Sequence, residues 1–196
     1  MNVFESINGT VRRLSHIRRY SSIAVVRQEN VAEHSFYAGL YGQMVGLDLI
    51  DRGYQVDLGE LAIKCIWHDF AEAMTGDMPR SFKYHDDEFR KQVSRVEEEL
   101  VKRLYAELGW VNGGVFEYWL NAKDDSLEGK ILSFVDMLCV IAYCREEYSM
   151  GNHSIDHVLE YNFYLMQERF KDSPLFGIYY DQLYPNNTYK DLYRNL

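Results

Sequence analysis

Residues 65–79 read Cys-Ile-Trp-His-Asp-Phe-Ala-Glu-Ala-Met-Thr-Gly-Asp-Met-Pro. The residues leading into them, Leu58 to Ile66, have apolar side chains at 58, 61, 62, 65 and 66, which is the spacing of a helix. Cys65, His68, Asp69, Glu72 and Asp77 can each bind a metal or carry a proton. His68 and Glu72 lie four apart and share a helical face, and Asp69 and Glu72 lie three apart, so all three crowd one side of the helix end. Thr75-Gly76-Asp77 then breaks the helix and Pro79 keeps it broken, which lets the loop turn Asp77 back toward the cluster. Three carboxylates sit between positions 69 and 77, and the nearest bases in sequence are Lys64 and Arg80. Such packing is unfavourable unless a cation stands among the acids or their pKa values are driven apart. A divalent metal removes the penalty. A surface His68-Asp69 pair with Asp77 capping the next turn is the other reading, and the local pattern leaves both open.

Outward from this stretch the chain reads as helical throughout. Residues 2–17 place Phe4, Ile7, Val11 and Leu14 on one face, with Gly9 as a weak point. Arg18 and Arg19 follow, either as a solvated corner or as guanidinium groups that reach a phosphate. Ile23 to Gln28 is a β-branched, extended stretch. Asn30 and Glu33 have the spacing of a capping box. The helix they open puts His34 on one stripe with Ala38, Tyr41, Val45 and Leu49, and Gly53 ends it. A lone histidine on such a stripe is either a satisfied core residue or a ligand. A fourth helix is expected from Asp86 to Leu108, with Phe89, Val93, Val96, Leu100 and Leu104 inward and a solvated charged face that includes Glu97. Gly109, Gly113 and Gly114 mark a turn, and Phe116, Trp119 and Leu120 a short helix. A fifth helix runs from Ser126 to Ser149. It carries Asp136 on an apolar face, where a buried carboxylate needs an arginine, a lysine or a metal. Ile155, Leu159, Phe163, Met166 and Phe170 define a sixth helix, and a tyrosine-rich tail of a short helix and a wrapping segment follows.

The 196 residues are enough for one domain with a sizeable core, and 47% hydrophobic content makes that core affordable in sequence terms. The expected fold is all-α, one domain over 1–196 with five or six main helices. Acidic residues outnumber basic ones 30 to 21, and the net charge of −9 argues against nucleic-acid polymers and anionic membranes as partners. Cys65, Cys139 and Cys144 lack paired spacing and read as reduced, buried thiols of a cytoplasmic protein. No h-region marks a signal peptide, and no apolar run reaches the roughly 18 residues of a membrane span.

Taken together, His34, His68-Asp69 and Asp136 offer two imidazoles and two carboxylates from three helices, a donor set suited to a divalent transition metal with open positions for water. This H…HD…D pattern resembles the HD-domain metal-dependent phosphohydrolases. Arg19-Tyr20, then Arg27-Gln28-Glu29-Asn30-Val31-Ala32-Glu33-His34-Ser35, His68-Asp69-Phe70-Ala71-Glu72, Thr75-Gly76-Asp77-Met78-Pro79 and Lys83-Tyr84 resemble the YfbR-like 5′-deoxynucleotidase branch over roughly residues 10–150. The resemblance implies a single HD-type helical bundle. It implies one bound Co²⁺, Mn²⁺ or Zn²⁺ held by His34, His68, Asp69 and Asp136. It gives Glu72 the attacking water, Asp77 the leaving oxygen or sugar, and Arg19 the phosphate. It also implies a homo-oligomer, a dimer or higher.

Two positions depart from the branch. Tyr20 stands where tryptophan is usual, which bears on discrimination against ribonucleotides. Arg80 stands where a neutral residue is common, and with Lys83 it offers a grip on further phosphates. The implied substrate is a 2′-deoxynucleotide, either a monophosphate or, as in related viral enzymes, dATP cut to release triphosphate; the setting is then the host cytoplasm. An HD-type phosphodiesterase and a catalytically silent nucleotide sensor are the competing readings.

Overall fold

The computed structural model describes residues 7–108 and 114–193. Among them are nine α-helices and no strand, and the one isolated bridge joins Arg18 to Asn30. No helix among them is long and apolar enough to cross a membrane. The chain divides into two compact units, residues 1–22 with 28–132, and residues 23–27 with 133–196.

In the first unit, helix α1 (Val31–Asp51) opens on the expected capping box. The Glu33 N–H donates to Asn30 Oδ1 at 3.0 Å, and the Asn30 N–H donates to Glu33 Oε2 at 3.2 Å. Gly53, at φ +92°, turns the chain out of α1. Helix α2 (Leu58–Trp67) is capped by Asp57, which accepts from the Glu60 N–H at 2.9 Å. The two helices approach closely because α1 presents glycine where α2 crosses it. A Cβ at Gly42 would stand 2.8 Å from Cys65 Sγ, and one at Gly46 would stand 2.8 Å from Leu58 Cδ2. Val45, Leu49, Leu61 and Cys65 are buried there. Lys64 is also buried, and its Nζ reaches both Asp124 oxygens and Ser126 Oγ at 2.9 Å and Glu60 at 3.1 Å. Burial would lower its pKa, but these acids outweigh that and raise it, so the ammonium is kept.

Two single-turn helices follow, α3 (Glu72–Thr75) and α4 (Arg80–Lys83), then α5 (Asp87–Leu108) and α6 (Gly114–Leu120). Val101, Leu104 and Tyr105 of α5 join Leu14, Val31, Phe70 and Ala73 in one apolar cluster. Burying side chains of this size contributes roughly 1.5–3 kcal/mol each.

Several expectations are corrected here. The helix expected over 2–17 is interrupted: Gly9 is non-helical (φ −90°, ψ −108°) within Ile7–Val11, and a separate 3₁₀ turn covers Leu14–His16. Its positions 2–6 lie outside the described residues, as do Gly109 and Gly113. On α5, Val96 is exposed and Glu97 is buried, the reverse of the expected faces. Glu97 goes inward because Lys83 Nζ pairs with it at 2.7 Å. Residues 23–28 are irregular rather than extended strand.

The second unit takes helix α7 (Leu127–Ser149) from residue 133 on, with α8 (Asp156–Phe170), α9 (Gly177–Leu183) and a 3₁₀ turn at Tyr189–Tyr193. The predicted stripe of α8 is buried throughout. Phe134 stacks on Phe176 with ring centroids 4.9 Å apart and meets Phe170 edge-on at 5.1 Å. All three cysteines are buried and none is in a disulfide. Segment 23–27 is clamped by Glu147, whose carboxylate accepts from the Val26 N–H at 2.8 Å, the Arg27 N–H at 2.7 Å and Asn152 Nδ2 at 2.6 Å. Tyr143 Oη donates to the Arg27 carbonyl at 2.7 Å.

Burial pulls the Glu147 carboxyl up, but the bonds from Asn152, Val26, Arg27 and Tyr143 outweigh it and hold the pKa below its ordinary value. A carboxylate depressed on folding contributes stability above its unfolded pKa, and that contribution is lost as pH falls through the folded value. Glu147→Gln should therefore flatten the fall in melting temperature below about pH 5. Glu147→Ala, which leaves buried N–H donors unmet, should cost about 3 kcal/mol in denaturant melts at neutral pH. An unchanged acid profile in the glutamine variant would remove this clamp as the source.

Candidate active site

His34 lies in the first turn of α1, buried, and His68 follows directly on the last residue of α2, also buried. The His68 ring is oriented by its Nδ1, which lies 2.7 Å from the Cys65 carbonyl oxygen. A carbonyl can only accept, so Nδ1 carries the proton and Nε2 presents a lone pair. That Nε2 faces His34 Nε2 at 3.1 Å. Asp69 Oδ2 stands 3.2 Å from His34 Nε2 and 3.1 Å from His68 Nε2. Burial alone would raise Asp69, but His68 and then His34 outweigh it and hold its carboxyl well below the usual carboxylate range.

This triangle fits a divalent transition metal. Its two nitrogens and one oxygen are the donor types such ions take, and donors bound at about 2.0–2.2 Å to one ion stand roughly 3 Å apart. The orienting hydrogen bond on His68 is the arrangement that metal-binding imidazoles use.

Between α2 and α3, residues 68–71 form a turn in place of the expected continuous α-helix. The N–H groups of Phe70, Glu72, Ala73 and Met74 donate to carbonyls three residues back, at 2.9–3.1 Å. The turn brings the carboxylates of Asp69 and Glu72 close enough to act on one another. Glu72 Oε2 is buried with no hydrogen-bond partner among the described residues. Burial, then the charges of Asp69 and Asp77, push the Glu72 carboxyl well above its ordinary value, against the pull of Arg19 and His34. Asp77 is also raised, first by burial and then by Asp69, with Arg19 and the Tyr20 N–H acting in the other direction. The loop thus returns Asp77 to the cluster, as the sequence predicts.

Arg19 is held from three sides. Its N–H donates to the Glu29 carbonyl at 3.0 Å, Nη1 pairs with Glu29 Oε2 at 2.9 Å, and its own carbonyl accepts from Gln28 Nε2 at 2.6 Å. Its guanidinium carbon lies 5.2 Å from the Tyr20 ring centroid. Tyr20 itself has φ +57°, a strained conformation for a bulky residue, sustained by the contacts on either side. Lys83 is committed to Glu97, whereas Arg80 packs its guanidinium over the Tyr84 ring at 4.6 Å. Asp136 stands on α7 in the second unit between buried Val135 and Met137, and is half-buried rather than buried as expected. Glu29, which fixes Arg19, is the residue of this cluster that sequence reasoning missed. It lies in a quoted block, but nothing periodic links it to Arg19 ten residues earlier.

A family model described as 5′-deoxynucleotidase YfbR-like matches residues 7–180. The chain belongs to this YfbR-like family. A 5′-deoxynucleotidase of Photorhabdus laumondii is 30% identical over 146 residues, 74% of this chain and 74% of that protein. A 5′-deoxynucleotidase of Vibrio vulnificus is 27% identical over 143 residues, 72% of this chain and 74% of that protein. Among solved structures, an HD-domain phosphohydrolase of Listeria innocua superposes with a TM-score of 0.76 at 23% identity, covering 95% of this chain and 90% of that one. The HD phosphohydrolase DatZ of cyanophage S-2L, bound to dA and one catalytic Zn²⁺, gives 0.60 at 18% identity, covering 88% and 93%. These two likenesses show that the YfbR-like chain has the all-α HD fold.

If the triangle binds a metal, loading this YfbR-like protein at about 100 times the dissociation constant should stabilise it by about 2.7 kcal/mol, a rise of roughly 5–10 °C in melting temperature. Elemental analysis and thermal shift with Mn²⁺, Co²⁺ or Zn²⁺ measure this. His68→Ala should abolish both the bound metal and the shift; a full shift in that variant would remove His68 from the site.

Proposed function

We propose that this YfbR-like protein is a metal-dependent hydrolase that removes the 5′ phosphate of 2′-deoxynucleoside monophosphates, giving deoxynucleoside and phosphate. The observation that carries the reading is the His34–His68–Asp69 triangle, 3.1–3.2 Å on a side, with a buried Glu72 oxygen that has no hydrogen-bond partner among the described residues. The names of the Photorhabdus and Vibrio relatives support the substrate class, and the dA and Zn²⁺ of the cyanophage protein support a deoxynucleotide beside a metal.

In this reading His34, His68 and Asp69 hold one divalent ion, with Asp136 as the fourth ligand on the strength of the H…HD…D pattern. A bound ion of this kind lowers the pKa of water and polarises a phosphoryl oxygen. Glu72 takes the proton of the attacking water, a task that its raised pKa suits because the protonated form is readily reached. The P–O5′ bond breaks as the new P–O bond forms, and Asp77, also raised, returns a proton to the departing 5′ oxygen. Arg19, pre-set by Glu29, neutralises the phosphate oxygens. The Tyr20 ring packs against the sugar.

Arg80 favours a second reading. Its guanidinium has no carboxylate partner among the described residues, while Lys83 is neutralised by Glu97. Arg80 is thus the better placed of the two to meet extra phosphates, and release of triphosphate from dATP is the reaction that would use it. Action as a homo-oligomer in the cytoplasm belongs to the same proposal.

The test is a panel of all four bases as deoxy- and ribonucleotides, mono- and triphosphate, with Mn²⁺, Co²⁺ or Zn²⁺. Inorganic phosphate from deoxynucleoside monophosphates is the expected product, and inorganic triphosphate from dATP alone would move the assignment to the second reading. Glu72→Gln should lower kcat by about 10²–10⁴-fold with metal content unchanged. Full turnover in that variant would refute its role as base. Arg19→Lys, which loses the planar fork, should raise KM more than it lowers kcat.

A further inference from the structure

Glu97 is an acid in a core position. It stands in line with Val101 and Leu104, one and two turns further along the buried face of α5, and is itself only 6% exposed. Burying a carboxylate is costly unless it is paired, and an apolar residue of similar volume is often at least as stable in such a place. The partner of Glu97 is Lys83 Nζ at 2.7 Å. The single turn α4 has other ties to α5. Phe82 meets Phe89 edge-on with ring centroids 5.1 Å apart, and Arg80 and Arg90 both pack their guanidinium groups on the Tyr84 ring, 4.6 and 5.0 Å from its centroid. What the ion pair adds is control of the ammonium. The Lys83 N–H donates to the Pro79 carbonyl at 3.0 Å and fixes one end of the residue, and Glu97 fixes the other. Burial would lower the Lys83 pKa, but Glu97 and then Asp69 outweigh it and raise it. The lysine therefore stays charged and stands within electrostatic reach of Asp69.

We propose that Glu97 is a positioning residue, which holds the Lys83 ammonium in place to donate to the phosphate of a nucleotide bound at the metal triangle. An ammonium has three N–H donors and the bond to Glu97 uses one, so two remain for phosphate oxygens. The pairing cancels Lys83 as a charge acting at a distance, which is why Arg80 is the better group for extra phosphates. At short range the pairing helps. A free lysine samples many rotamers, and ordering them on binding weakens the contact it makes; a lysine ordered in advance avoids that loss. Protein kinases hold their phosphate-binding lysine in the same way, through a glutamate on a neighbouring helix. This role of Glu97 rests on the phosphate chemistry proposed above, and it accounts for an acid where packing alone would take an apolar side chain.

Glu97→Met separates positioning from packing, because it puts an apolar side chain of similar length in the core. The variant should melt at or above the wild-type temperature. It should nevertheless raise KM for deoxynucleoside monophosphates at least about tenfold while kcat falls less than about threefold. Glu97→Gln, which keeps the shape and removes only the charge, should behave alike and decides the matter where the methionine variant folds poorly. Glu97→Asp, which restores the charge, should recover part of the lost affinity. A wild-type KM in both Glu97→Met and Glu97→Gln would overturn the assignment. Lysine acylation followed by peptide mass spectrometry reads the contact without turnover. Inorganic phosphate added to the metal-loaded protein should slow labelling of Lys83 several-fold in the wild type and not in Glu97→Met. Labelling of wild-type Lys83 that phosphate leaves unchanged would equally overturn it. Protein that hydrolyses no nucleotide yet shows this protection would count against the proposed reaction and for the placement of Lys83 by Glu97.

Discussion

The crossing of α1 over α2 is the constraint on which the site depends. Gly42 and Gly46 give α1 a surface without side chains where Leu58, Leu61 and Cys65 press against it. The close contact sets the axial register of the two helices, and that register sets the 3.1 Å between His34 Nε2 and His68 Nε2. A wider crossing would part the imidazoles, because each is fixed to its own helix: His34 within the first turn of α1, and His68 through its bond to the Cys65 carbonyl. Cys65 thus serves twice, with its sulfur in the helix contact and its carbonyl as the stop for the His68 ring. The Lys64 cluster secures the same helix from another side, tying α2 to Asp124 and Ser126 just before α7 begins. Gly129 belongs to that arrangement, since any Cβ there would collide with Asp124.

In the proposed reading, electrostatics then divides the acids by role. Asp69, Glu72 and Asp77 influence one another, yet their pKa values move in opposite directions. Asp69 is ionised by its two histidine neighbours and suits a ligand. Glu72 and Asp77 are driven up by burial and by Asp69, and suit proton transfer. Separation of carboxyl groups by environment is a general way to obtain acid and base functions at one pH. Arg19, with His34, acts against the rise on both acids, and Glu29 fixes where the Arg19 charge sits.

Much of this was legible in the sequence because it rests on periodicity and on spacing. The capping box at Asn30 and Glu33, the stripe of α8, and the placement of His34 on the inward face of α1 follow from local rules that the tertiary structure does not override. The resemblance to a known family supplied the grouping of His34 with His68-Asp69, and the structure brings those three together. What was not legible depended on pairing across the chain. Glu97 has the spacing of a solvated residue and is buried because Lys83 reaches it. Glu29 has no pattern that points to Arg19. The turn at 68–71 is equally hidden, since a sequence that continues in helix formers does not announce a tighter turn.

Tyr20 shows how the two kinds of information combine. Its left-handed backbone is costly for an aromatic residue, by roughly 1–3 kcal/mol, and no local signal in Arg19-Tyr20-Ser21 calls for it. The strain is explained by what flanks it. On one side, Arg19 is fixed to Glu29 through backbone and side chain together; on the other, the Tyr20 N–H is engaged by Asp77. Meeting both demands turns the chain sharply at residue 20 and presents its ring beside the Arg19 guanidinium. The conformation therefore follows from the two partners rather than from the ring, and an aromatic side chain of another size could occupy the same backbone. On that argument the side chain at residue 20 can change while the placement of Arg19 and Asp77 stays as it is.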